Sequence, residues 1–167
     1  DDVHRLGLDR DAAAMLLVES DLPGAGAAHE MAAAVPVCEA AGATQVVLAQ
    51  DAQEADWLRQ GRRLAYRALE HVAVARMEDV GVPRSRVPQL LRAIEGIAAR
   101  HAIAIGTFGH AGDGNLHPTF LLDRDEGDAA VARLDAARAE LYEAAIELGG
   151  TVTGEHGIGA ARRDWLV

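Results

Sequence analysis

Two histidines stand seven positions apart, His110 and His117, in the run Gly-His-Ala-Gly-Asp-Gly-Asn-Leu-His-Pro at residues 109–118. Asp113 and Asn115 lie between them, and an apolar, β-like run (102–108) precedes them. Across a tight loop between paired strands, two imidazoles at this spacing can approach one point. Neutral imidazole is a common ligand of first-row metal ions. A second cluster, Gly-Glu-His-Gly-Ile-Gly at residues 154–159, adds Glu155 and His156. Glu155 would supply a hard oxygen ligand and complete a two-histidine, one-carboxylate set with positions left open for substrate or water. The expectation is that the two clusters meet in space as one metal-centred site. The competing reading makes these histidines turn caps or backbone hydrogen-bond partners. It would prevail for a lone histidine, but not for a glycine-flanked pair matched by a later Glu-His.

His156 follows Glu155 directly, so the two side chains diverge in most backbone conformations. If Glu155 faces a metal, His156 faces a substrate as general base, its reference pKa being ~6.5; a purely structural histidine fits the spacing equally well. Asn115 reads either as a hydrogen-bond partner for a substrate hydroxyl or carboxylate, or as a turn residue beside Asp113 and Gly114. Arg59, Arg62, Arg63 and Arg67 share one segment. A guanidinium there could grip an acidic substrate, although a solvated helix face is the plainer reading. Glu78 and Asp79 are neighbours in a strand-like run, where consecutive side chains point to opposite faces, and are given structural roles. Neither glycine cluster has the Gly-x-Gly-x-x-Gly spacing that opens a helix after a strand, so a nicotinamide site has weak support.

The elements that must position these residues read as follows. Residues 14–20 and 44–50 have the length of buried strands. Between them Ala28, Met31, Val35 and Cys38 fall at helical spacing, with Pro36 inside the pattern and Gly42 as its C-cap. Asp51 and Glu54, as N-cap and N3 partner, open a helix to about residue 69 that offers Trp57, Leu58, Ala65 and Leu69 to a core. Residues 71–82 read as a third strand. Val87, Leu90, Leu91, Ile94, Ile97 and Ala98 form the apolar face of a helix with Pro88 in its first turn. Residues 102–108 and 116–122 are strands paired as a hairpin. A long helix covers 126–148 and stops at Gly149-Gly150, residues 151–153 lead into the second cluster, and 160–166 begin another helix. The order β-α-β-α-β-α-β-β-α-β predicts an α+β fold. It is built on ferredoxin-like split βαβ units, with an antiparallel or mixed sheet and helices packed on one face.

The chain's 167 residues suffice for a domain with a core, and half of them are apolar. A net charge of −10, with no basic run, argues against nucleic acid. The single cysteine, Cys38, excludes an intramolecular disulfide and reads as a small buried hydrophobe. No apolar run approaches the ~20 residues of a membrane span and no signal peptide opens the chain, so the expected location is cytoplasmic.

The runs at 109–118, 149–159 and 82–88 (Val-Pro-Arg-Ser-Arg-Val-Pro), with Gly-Ala-Thr-Gln-Val-Val-Leu-Ala-Gln-Asp at 42–51, resemble the C-terminal domain of FAD-linked oxidases. That group contains the glycolate oxidase FAD subunit, D-lactate dehydrogenase and D-2-hydroxyglutarate dehydrogenase. The resemblance implies a ferredoxin-like substrate domain lying over the flavin of a separate N-terminal FAD-binding domain, and oxidation of a D-2-hydroxy acid to the 2-oxo acid. It implies His110, His117 and Glu155 as ligands of a divalent metal, zinc or manganese. It further implies His156 as the base, Asn115 near the substrate, and Arg62 on its carboxylate, with Arg59 and Arg63 as the neighbouring candidates. Residues 1–13 are then the linker from the absent FAD domain, and 14–167 a substrate- and metal-binding domain truncated at its C-terminus, inactive alone. Met77 stands near a position where some hydroxyglutarate-specific relatives carry lysine, which argues against a dicarboxylate. An electron-acceptor subunit and a homodimer are the further partners this implies. The rival classes are a non-catalytic metal-binding module and a metal-dependent hydrolase.

Overall fold

The computed structural model describes residues 7–160 and 162–165. It divides into two compact units, Asp1–Tyr66 and Arg67–Val167. In the first unit, α1 (Ala25–Ala40) runs through Pro36 and ends as its sequence requires: Gly42 takes φ +92°. Its N–H reaches the Glu39 carbonyl, and the Ala43 N–H reaches that of Cys38. Asp51 caps α2 (Ala52–Val72), its Oδ1 accepting the N–H groups of Gln53 and Glu54, both at 2.9 Å. The helix continues into the second unit.

Two expected strands are absent here. Residues 14–20 and 44–50 form no strand among the described residues, and Leu16 and Val47 are 68% and 60% exposed. An apolar run becomes a strand only when a second backbone edge meets its N–H and C=O groups, and neither run has one. Trp57, expected in the core, is exposed, and Cys38 is only partly buried. The expected linker at 1–13 is coil and largely exposed over residues 7–13, while residues 1–6 lie outside the described residues.

The second unit holds the sheet. Its strands are β1 (Val74–Met77), β2 (Val80–Gly81), β3 (Ala104–His110) and β4 (Asn115–Leu122). Helix α3 (Val87–His101) links β2 to β3, and α4 (Asp128–Glu147) follows β4. Strand β4 is central and pairs antiparallel with β1 and β2 on one side and β3 on the other. An isolated antiparallel bridge joins Gly81 to Thr151. This is the split βαβ order expected for an α+β fold, with α3 and α4 together on one face. Of the run expected as one strand at 71–82, residues 71 and 72 end α2, and the rest holds two short strands in a single register: Met77 faces Thr119, and Val80 faces Leu116. The ladder is interrupted because Pro118, between them, has no N–H to donate, although its carbonyl still accepts the Glu78 N–H at 2.8 Å. At the C-terminal end the expected helix at 160–166 is only a 3₁₀ turn, Arg163–Trp165; residues 161 and 166 lie outside the described residues.

Alternation along β4 sorts its side chains. Leu116, Phe120 and Leu122 join Leu90, Ile94, Ile97, Leu134 and Leu141 in the helix-side core. Burying a side chain such as Phe120 contributes about 2–3 kcal/mol. Asn115, His117 and Thr119 take the opposite face and are buried as well.

Candidate functional site

The site stands on that second face. In the β3–β4 hairpin His110 pairs with Asn115 and Phe108 with His117, so all four share a face and the two histidines are diagonal neighbours. Their rings lie 5.6 Å apart and nearly perpendicular, at 87°. The turn between them depends on Gly114. Its φ is +75°, and a Cβ there would stand 2.0 Å from the Val82 carbonyl oxygen, which accepts no such approach.

The second cluster reaches the same place through Asp79. The common register of β1 and β2 puts Asp79 opposite His117, on the site face, and Glu78 opposite Pro118, on the helix side. Asp79 is fully buried, and its Oδ2 accepts the N–H groups of Gly154, Glu155 and His156 at 2.8–2.9 Å and the Thr153 hydroxyl at 3.0 Å. Burial works to raise the Asp79 pKa. The donors from His156, Glu155, Gly154 and Thr153 outweigh it and hold the carboxyl below its ordinary value.

Glu78 holds the far end of this loop from the other side of the sheet. It accepts from Arg138 at 2.6 Å, from the Tyr142 hydroxyl at 2.5 Å and from Arg162 at 3.0 Å. Arg162 in turn donates to the Gly157 carbonyl at 3.0 Å. Gly154 packs against Asn115 so closely that a Cβ would lie 2.3 Å from the Asn115 amide.

These anchors deliver Glu155 to the histidines. Its Oε1 lies 3.2 Å from His117 Nε2, 3.7 Å from His110 Nε2 and 3.6 Å from His156 Nε2. Atoms sharing one first-row cation at ~2.1 Å stand about 3.0–3.5 Å apart. The Glu155 distances to His117 and His110 lie close to this, and all three ligand atoms are within 4.8 Å of one another. A second set, Asp79, His117 and His156, also brings its ligand atoms within 4.8 Å of one another. Its geometry is poorer. The rings of His117 and His156 are stacked, 4.9 Å apart at 11°, and lone pairs confined to parallel planes do not converge. The perpendicular planes of His110 and His117 do intersect. Burial pushes the His117 pKa down; Asp79 acts against this, His156 with it, and the net shift leaves a neutral imidazole near pH 7, the form that binds metals.

The structure thus brings together four of the expected residues, His110, His117, Glu155 and His156, all from the second unit. Asn115 is placed on the same strand face, its Oδ1 buried without a partner; with Glu155, Thr153, Pro83 and Gly150 it also lines an open cavity of ≈ 580 Å³ that His110, His117 and His156 do not line. Arg62 lies on α2 in the first unit; beside it Arg59 pairs with Glu19 at 2.9 Å and Arg63 with Asp56 at 2.8 Å. Sequence reading missed Asp79 as part of the site. Its alternation with Glu78 was legible, but the register that sets it opposite His117 was not.

The chain is 42% identical to glycolate oxidase subunit GlcD of Bacillus subtilis over 167 residues, 99% of this chain and 35% of that protein. It is 32% identical to the subunit of the same name from Escherichia coli K12 over 160 residues, 95% of this chain and 32% of the relative. With the D-lactate dehydrogenase of Archaeoglobus fulgidus it shares 31% over 129 residues, 77% of this chain and 28% of that enzyme. The chain spans about a third of the length of the relatives it matches. Among the described residues no helix is long and apolar enough to cross a membrane. The FAD linked oxidases, C-terminal domain family matches residues 1–167, and the chain belongs to that family.

Proposed function

We propose that this chain is the substrate-binding portion of a flavin-dependent oxidoreductase that oxidises a D-2-hydroxy acid, of the glycolate or D-lactate type, to the 2-oxo acid. The observation that carries the reading is the convergence of His110 Nε2, His117 Nε2 and Glu155 Oε1 beside the exposed ring of His156. The donor set of two imidazole nitrogens and one carboxyl oxygen suits zinc or manganese, with open positions for a bidentate hydroxy acid. When bound, the ion would act as a Lewis acid on the 2-hydroxyl and the FAD as hydride acceptor.

His156 takes the hydroxyl proton at Nε2, the C2–H departs as hydride, and a 2-oxo group remains. Asn115, on the strand face it shares with His117, offers its amide to the substrate. Arg62 is assigned to the substrate carboxylate on its place in the segment 57–63. We assign the flavin to an N-terminal domain, since the relatives are about three times as long. The free thiol of Cys38 suits a reducing, cytoplasmic compartment.

The test is a flavin-reduction screen of the full-length protein against D-2-hydroxy acids, with and without chelator. Bleaching by glycolate or D-lactate that chelator abolishes is the expected result. Chelator-insensitive reduction would remove the metal from the reading, and no reduction by any hydroxy acid would remove the activity.

A further inference from the structure

Asp79 has only one of its carboxylate oxygens occupied by the loop. Oδ2 accepts four hydrogen bonds, while Oδ1 is buried with no partner. His117 Nδ1 is likewise buried and unpartnered, and the two atoms face each other at 3.5 Å. We propose that Asp79 is a positioning residue for His117: Oδ1 fixes the imidazole as its Nδ1–H tautomer and so keeps the Nε2 lone pair turned toward Glu155 and His110. The consequence for metal affinity rests on the metal-site reading above; the tautomer does not.

A neutral imidazole carries one N–H, which has two placements here. On Nε2 it would point at Glu155 Oε1, 3.2 Å away, and leave the Nδ1 lone pair against a buried anionic oxygen. On Nδ1 it is directed to the Asp79 side, where Oδ1 lies 3.5 Å away, and a small approach of the two groups closes a hydrogen bond that both orphaned atoms lack. Glu155 is half exposed and open to water, whereas Asp79 Oδ1 and His117 Nδ1 are buried and neither has a hydrogen-bond partner among the described residues. The buried pair therefore decides. Neither group can turn aside. Asp79 is tethered through Oδ2, and the His117 ring is enclosed by Phe108 at 5.7 Å, His110 at 5.6 Å and His156 at 4.9 Å. One carboxylate thus sets the backbone of Glu155 and His156 and the tautomer of His117.

The test is Asp79→Asn, whose amide oxygen still accepts from the loop while its NH₂ donates to Nδ1 and drives the proton to Nε2. Long-range ¹H–¹⁵N spectra of the metal-free chain at mildly alkaline pH report the tautomer, with His117→Gln identifying the signal among seven histidines. The expected result is Nδ1–H in the wild type and Nε2–H in the variant. Mn²⁺ affinity by titration calorimetry should fall about 10–100-fold. An Nε2–H wild type, or an unchanged tautomer in D79N, overturns the proposal, and the wild-type spectrum decides alone should the variant not fold. If the tautomer shifts as expected but the wild type binds no Mn²⁺, the positioning role stands and the metal reading falls. If Mn²⁺ binds but the tautomer does not change, the positioning role falls and the metal reading stands.

Discussion

Glu78 and Asp79 are consecutive in the chain and hold the same loop from opposite faces of the sheet: Asp79 grips the backbone of 154–156, and Glu78 reaches Gly157 through Arg162. The loop that carries Glu155 and His156 is therefore set by the alternation of two neighbouring side chains about a strand. Stability and site geometry are coupled through this pair.

Arg162→Met tests the rear anchor. Arg162 is 9% exposed, and its loss leaves Glu78 with one cationic partner instead of two. Removing one member of a buried ionic group should cost about 2–4 kcal/mol, read as a lower urea midpoint. Amide exchange at Glu155 and His156 should quicken too. Unchanged exchange there would show that the loop does not depend on this anchor.

The hairpin turn provides an internally controlled comparison. Gly114→Ala forces a Cβ into the Val82 carbonyl at φ +75° and should cost roughly 3 kcal/mol or more, seen as a fall in Tm. Gly112→Ala, two residues away, meets open space and should change stability by no more than about 0.5 kcal/mol. Equal effects from both would mean that the turn tolerates a shift of Gly114.

Metal loading has a distinct signature if the ligands are already assembled by protein contacts. Chelator should leave the far-UV spectrum unchanged, and Mn²⁺ at a hundredfold over its Kd should raise stability by about 2.7 kcal/mol. His117→Ala should abolish that gain. Unfolding by chelator would instead identify a structural ion.

Tyr142 supplies a prediction at alkaline pH. Burial first, then the Glu78 hydrogen bond and charge, push its hydroxyl up to about 12, against the opposing effect of Arg162. The unfolded phenol ionises near ~10, so between these values only the folded state keeps the proton. Its contribution to stability is therefore complete below pH ~10 and is lost as pH rises toward 12. All sixteen basic residues are arginine, so no lysine titrates in this window. In Tyr66→Phe, absorbance at about 295 nm should rise near pH 12; a rise near ~10 would contradict the buried arrangement.

The residues of the His/Glu cluster and the helices with strong local signals could be read from the sequence alone. Spacing and flanking glycines singled out His110, His117, Glu155 and His156 because two imidazoles seven apart among glycines, matched by a later Glu-His, exceed what a turn requires. Capping chemistry at Asp51 and Gly42 is local, so it marked helix ends that the fold keeps. Tertiary structure alone decided what depends on pairing. Residues 14–20 and 44–50 have strand-like composition but no partner edge among the described residues, and composition cannot supply one. Asp79 enters the site only because β4 runs antiparallel to β1 and β2 in a register that sets it against His117, and register is fixed by contacts between residues far apart in the chain.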